Sequence, residues 1–275
     1  MAACTVYGPG ISTYVRTVRL ALEEKGVPYE LVELDFMRGE HKEAAHLARH
    51  PFGRVPAFAH DGFDLYETGA ITRYIDAALP GPSLTPAEPR AVARMQQAIC
   101  IVDAYAYGAM ISAIFMQRVV TPLLGGSVDE AKIAAAVPTA ELSLEAIEDV
   151  MGGQPWLAGD ALSLADLHLA PVIAYFQQTP EGGQLLASRG RLQRWWEGLA
   201  GRPHRCSAPG PSSVERGTTA SRSNAKRAAP KPPAFQYHDL DQPMYQPAVA
   251  ATKSRSRPDY PATLYVGELG AAIPR

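Results

Sequence analysis

The chain has 275 residues, 47% of them hydrophobic and 20% charged, with a formal net charge of −2. That length allows one or two domains around a full core, and the near balance of charge predicts no strong attraction to nucleic acid or to a membrane surface. The charge is uneven, however: after Pro203 ten lysines and arginines face five acidic residues, so the acidic excess lies before it. Cys4, Cys100 and Cys206 are far apart and form no C-x-x-C motif, which fits a reducing cytoplasm. The N-terminus reads as a strand and not as a signal peptide, and no apolar run of transmembrane length stands out.

In chain order, Ala3 to Tyr7 predicts a short strand stopped by Gly8-Pro9-Gly10. Ser12 and Thr13 then open an apolar-periodic helix through Val15, Val18, Leu20 and Leu22, closed at Gly26. Tyr29 to Leu34 alternates apolar and polar residues, a second strand, so the three elements form a βαβ unit with parallel strands. Gly39 to Arg49 predicts an irregular helix. Ala57–Ala59 and Phe63–Tyr66 flank Asp61-Gly62, a hairpin signal, and Thr68 to Ala78 is helical. This order is that of a thioredoxin-like α/β domain without redox cysteines, over residues 1–78.

Residues 79–88, rich in proline, predict a linker, and beyond it the pattern is helical only, over 89–202. A long helix runs from Pro89 to about Arg118, and another from Asp129 to Met151 with a kink expected at Pro138. Ser163-Leu164-Ala165-Asp166 is a capping box opening an apolar helix to about Phe176, and Leu192 to Leu199 is a final short helix. Residues 203–275 hold eleven of the 24 prolines and little apolar periodicity, the composition of a disordered tail.

Two neighbouring stretches carry the chemistry. Pro51-Phe52-Gly53-Arg54-Val55-Pro56 reads as a turn into an X-Pro bond just before a strand, where proline removes no ladder donor. A cis Val55–Pro56 bond suits that turn and would leave the Val55 amide and carbonyl to pair with an extended peptide. Glu67 and Thr68 then place a carboxylate and a hydroxyl at a helix start, where free N–H groups and the helix dipole seat a carboxylate and Glu67 can meet an ammonium. A backbone edge, an anion seat and a cation partner together suit a small zwitterionic peptide.

The combination Pro51-Phe52-Gly53-x-Val55-Pro56, then Tyr66-Glu67-Thr68-x-Ala70-Ile71-x-x-Tyr74-Ile75, resembles the glutathione-binding half of soluble glutathione S-transferases. The opening Ser12-x-x-x-Arg16 and Gly39-Glu40-His41-Lys42 make it most similar to the phi-type, serine-using enzymes. The resemblance implies a thioredoxin-like domain followed by an all-helical one, a cytoplasmic homodimer, and no cofactor beyond glutathione as substrate. It implies attack of the glutathione thiolate on a small hydrophobic electrophile, with peroxide reduction as a side activity. His41, Lys42 and Arg54 would meet the glycine carboxylate, Val55 would supply backbone atoms, and Glu67 with Thr68 would hold the γ-glutamyl end. Ser12 would donate a hydrogen bond to the sulfur and so favour the thiolate.

Other readings stand beside these. Ser12 fits a plain N-cap as well as a sulfur donor, and Thr13 is the next donor along. Arg16 adds positive potential or is an ordinary helix residue. Several transferase classes use a tyrosine near the end of the first strand as the thiol donor, but Tyr7 lies within that strand, where core packing is the stronger reading; Cys4 would suggest cysteine-type disulfide chemistry but lies too early and reads as a small buried hydrophobe. Tyr105, Tyr107, Met110, Ile111 and Phe115 divide between core and electrophile pocket. The family usually has serine at the position of Thr68, often arginine at that of Gly69, and Gln or Lys at that of Arg54. The rival class is a non-catalytic transferase-like module that binds or assembles.

Overall fold

The structure is a computed structural model and describes residues 4–200 and Arg202. Ala3 and the tail expected from residue 203, with Cys206, lie outside the described residues. The first half contains β1 (Cys4–Tyr7), α1 (Thr13–Lys25), β2 (Tyr29–Val32), α2 (Ala44–Leu47), β3 (Ala57–His60), β4 (Phe63–Tyr66) and α3 (Thr68–Ala78). The sheet order is β2-β1-β3-β4, with β1 parallel to β2 and the other pairs antiparallel. Cys4 and Val6 of β1 are buried, as period-two alternation requires. The second strand ends two residues earlier than its alternation suggested.

α1 packs against β1, α3 and a helix of the second half. It is therefore buried nearly all round, and even Arg16, Arg19, Glu24 and Lys25 lie at or below 8% exposure. Lys25 meets its burial with partners: Nζ donates to the Asp76 carbonyl at 2.9 Å, to Asp76 Oδ1 at 3.2 Å and to the Pro82 carbonyl at 3.1 Å. Asp76 Oδ1 also accepts from the Leu84 amide at 2.8 Å, and the Leu84 carbonyl accepts from Leu164 at 2.9 Å. The linker thus bonds to both halves, and at Gly81 (φ 118) any Cβ would overlap the Lys25 backbone.

The second half contains α4 (Pro89–Leu123), α5 (Glu130–Met151), α6 (Leu164–Phe176), α7 (Pro180–Ala187) and α8 (Gly190–Ala200). α4 extends past the expected end at Arg118 and changes winding: over Val102–Val120 its turns are of the wider i→i+5 kind, the Thr121 amide reaching the Met116 carbonyl. Buried positions recur accordingly at Val102, Ala106, Met110 and Ile114. By length and composition α4 could cross a membrane, which the sequence reading did not foresee, but these side chains face α5 and α6 in the core of the helical half. α5 runs through Pro138 as one helix. α7 was not anticipated, although Thr179 caps it and Pro180 stands in its first turn.

α6 is buried along its whole length. At its start Asp166 is fully buried and gathers four donors: the Ser163 amide (2.8 Å) and hydroxyl (2.7 Å), the Leu157 amide (2.9 Å) and Trp195 Nε1 (2.8 Å). The capping box thereby also fixes the preceding loop and α8.

Candidate active site

The end of β1, the turn before β3 and the first turn of α1 meet at Gly8. Its φ is 144, and a Cβ there would meet Val15 Cγ2 at 2.7 Å and Val55 Cβ at 2.9 Å. Only glycine fits that convergence. Val55 is half-buried and joined to Pro56 by a cis peptide bond, as the turn suggested.

Ser12 is the N-cap of α1 and half-buried. Its Oγ accepts from the Val15 amide at 3.5 Å, a long contact, and donates to no acceptor among the described residues. Cap and donor are therefore compatible roles: the cap uses a lone pair and leaves the proton free. Thr13 is buried, with its hydroxyl turned toward that of Tyr107. The turn before Ser12 is held from several sides: the Gly10 amide donates to the Glu33 carboxylate at 3.0 Å, and the Ser12 amide donates to the Pro9 carbonyl at 2.9 Å. Arg16 Nε donates to the Gly10 carbonyl at 3.3 Å, and the Tyr175 hydroxyl donates to the Ile11 carbonyl at 2.6 Å.

The start of α3 is the second centre. Glu67 is exposed and has φ 70, a left-handed conformation that costs a non-glycine residue roughly 1–3 kcal/mol. Thr68 beside it is 7% exposed. Strain of this kind collects at ligand clamps, where fixed geometry matters more than stability.

His41 and Lys42 lie on a short 3₁₀ turn, Glu40–Lys42. They differ sharply: Lys42 is exposed, whereas His41 is 4% exposed and packs against Phe36 with ring centroids 4.4 Å apart. Burial, with the charges of Lys42 and His46, lowers the His41 pKa, so the imidazole is neutral at neutral pH. A Cβ on Gly53 would lie 3.2 Å from the His41 carbonyl and 4.0 Å from Lys42 Cγ, which places this turn against the one carrying Arg54. Arg54 is exposed, and its carbonyl accepts from His46 Nε2 at 2.7 Å.

Two buried histidines escaped the sequence reading. His46 fixes the Arg54 backbone, and His50 packs on Tyr66 at 4.9 Å. The His50 pKa is lowered by burial, with Glu67 pulling upward and His46 and Arg54 downward, so it feels both halves of the candidate site. The one local signal was the Arg49-His50-Pro51 step into the turn.

Tyr14 and Tyr107 stack at 4.7 Å between α1 and α4. The field of Glu67 reaches Tyr14 and that of Arg54 reaches Tyr107, so the stack feels both the start of α3 and the turn before β3. One oxygen of Asp103 accepts from the Tyr14 hydroxyl at 2.9 Å and from His168 Nε2 at 2.8 Å. Burial alone would push the Asp103 carboxyl up, but those partners hold it below its ordinary value. Of the five candidate pocket residues on α4, Met110, Ile111 and Phe115 are core, Tyr105 is 60% exposed and Tyr107 lies beside Thr13. Tyr7 stays in the strand under the Arg49 guanidinium at 4.4 Å, and Cys4 is buried at 1% exposure.

A sheet of this order with hydroxyls at one helix start and an acid–hydroxyl pair at another, followed by a helical half, is the architecture of a thioredoxin-like domain joined to an all-helical one. Residues 2–77 match the model of the glutathione S-transferase N-terminal domain and residues 102–203 that of the C-terminal domain. The chain is 36% identical over 203 residues to glutathione S-transferase F13 of Arabidopsis thaliana, covering 73% of this chain and 92% of that protein. Glutathione transferase F7 of Populus trichocarpa superposes with a TM-score of 0.65 at 33% identity, over 73% of this chain and 94% of that one. Glutathione S-transferase I from maize, in complex with an atrazine glutathione conjugate, gives 0.64 at 33% identity, over 73% and 93%. The chain belongs to the glutathione S-transferase family, a family of enzymes.

Proposed function

We propose that this chain conjugates glutathione to small hydrophobic electrophiles, with Ser12 as the sulfur's hydrogen-bond donor. The observation that carries the reading is the Ser12 hydroxyl, at the positive end of α1 with its proton free of any acceptor among the described residues, while α1 packs on α3, which opens at the strained Glu67–Thr68 step. A free thiol with a pKa near 8.5 is mostly protonated at neutral pH, and a donated hydrogen bond at a helix start favours the thiolate.

Glu67 holds the ammonium of the γ-glutamyl group, Thr68 and the α3 amides hold its carboxylate, and Val55 pairs with the peptide through its backbone. Lys42 and Arg54 supply positive charge to the glycine carboxylate. Buried, neutral His41 contributes an N–H and no charge. The thiol proton leaves to solvent, a sulfur–carbon bond forms to the electrophile, and a halide departs or an activated double bond takes up the electron pair. The stacked Tyr14–Tyr107 pair offers a flat apolar wall for the electrophile. No cofactor is required.

The reading includes a cytoplasmic homodimer that removes reactive electrophiles. Phe52, 71% exposed beside His50, supports a partner surface, and sedimentation at micromolar concentration tests it. Retention on immobilised glutathione together with turnover of a chromogenic aryl halide tests the activity. Retention without turnover would leave the non-catalytic binding module.

A further inference from the structure

We infer that Tyr175 is a positioning residue, which holds the Gly10–Ser12 turn where the Ser12 hydroxyl can meet the glutathione sulfur. The inference rests on the donor role proposed above for Ser12. Tyr175 stands near the end of α6 and is 2% exposed, yet its hydroxyl reaches across 164 residues of sequence to the Ile11 carbonyl at 2.6 Å. Ile11 is the residue immediately before Ser12 and is itself 47% exposed, so its side chain does little to fix the carbonyl; Glu33 holds the Gly10 amide on the far side of the turn, and Tyr175 holds the carbonyl next to Ser12. The bond is short for a neutral O–H···O pair.

The ring that carries this hydroxyl is fixed independently. Phe115 of α4 stacks on it with centroids 4.8 Å apart and planes 10° apart, and the Arg16 guanidinium lies 4.7 Å from its centroid. Arg16 is also the group that holds the Gly10 carbonyl, so the two carbonyls before Ser12 are gripped by one cation–ring unit. Burial pushes the Tyr175 hydroxyl up to about 12, against the pull of Arg16, so it remains a proton donor throughout the working range. The helical half, whose apolar residues build the core, thereby sets the position of a hydroxyl that belongs to the first half. A hydroxyl shifted by a fraction of an ångström donates a weaker bond to sulfur, and the thiolate fraction falls.

The test is Tyr175→Phe, which keeps the ring and its stacking on Phe115. Thiolate ultraviolet absorbance of bound glutathione is titrated in wild type, Tyr175→Phe, Ser12→Ala and the double variant, beside kcat and KM. We expect Tyr175→Phe to raise the bound thiol pKa and lower kcat at neutral pH about three- to tenfold, the size of one lost hydrogen bond. The KM for glutathione should hold, activity should recover at high pH, and Tyr175→Phe should add no further pKa shift in the Ser12→Ala background. A change in melting temperature alone, with the titration unmoved, overturns the positioning role and leaves Ser12 standing. An equal shift in both backgrounds overturns it too, because the hydroxyl would then act elsewhere. An unmoved titration in Ser12→Ala alone overturns the donor reading and this inference with it.

Discussion

Among the described residues, two serines stand at helix N-caps, and they are used in opposite ways. Ser163 is 1% exposed, gives its amide and hydroxyl to Asp166, and sits in a network whose every named donor is satisfied. Ser12 is half-buried, accepts one long bond from Val15 and keeps its proton. Residue type and helix position are the same. What differs is the residue three places on: Asp166 closes the box at α6, whereas Val15 offers only its amide at α1. A closed cap stabilises, and an open cap leaves a hydroxyl for chemistry.

The comparison breaks most visibly at Asp166. Asp166→Ala strands four donors in the interior and should cost about 3–5 kcal/mol, read by chemical denaturation. Any loss of turnover should follow the fraction unfolded and not the chemistry.

At the other centre the balance reverses. Glu67→Ala removes the partner of a desolvated ammonium and should weaken glutathione binding by about 2–5 kcal/mol in calorimetry. Fold stability should change far less, since the Glu67 side chain is exposed.

Ser12→Ala sharpens the contrast. Turnover at neutral pH should fall about ten- to a hundredfold, with the bound thiol pKa raised by about one to two units and activity partly restored at high pH. Glutathione affinity should hold, because both ends of the peptide are gripped elsewhere. Ser163→Ala is the smallest change expected: about 1 kcal/mol of stability, with turnover per folded molecule and the thiol titration unmoved. Equal behaviour of the two serine variants would dissolve the distinction.

What the sequence made legible was local. Ser12 before an apolar period, Ser163 three residues before Asp166, Pro89 in a first turn and Asp61-Gly62 between two short apolar runs each act over a few residues, and each marks an observed boundary. The site motifs were readable for the same reason, as Pro51–Pro56 and Tyr66–Thr68 are contiguous. What stayed hidden depends on distant partners. The His46 bond to the Arg54 carbonyl, the left-handed backbone of Glu67, the burial of His41 and the reach of Tyr175 to Ile11 have no local pattern. α7 was missed because Gly182-Gly183 weakens any helical reading, although Thr179-Pro180-Glu181 signals its start. The wide winding of α4 also defeated a period of 3.6, so its side chains could not be divided between core and pocket.

The stretch between the halves has a consequence for anyone recombining such proteins. Lys25 and Asp76 spend their bonds on Pro82 and Leu84, while Gly81 lies directly on the Lys25 backbone. A chimaera that joins this first half to a foreign helical half should therefore keep residues 79–84 with the first half and place its seam later, before Pro89. A seam at residue 78 would ask an unrelated peptide to reproduce a glycine contact, a carbonyl and an amide at three fixed positions. The connector's side-chain partners are inherited with the sheet, while the helical half meets it through a backbone bond, Leu164 to the Leu84 carbonyl; recombination libraries cut at the apparent boundary should return few folded clones.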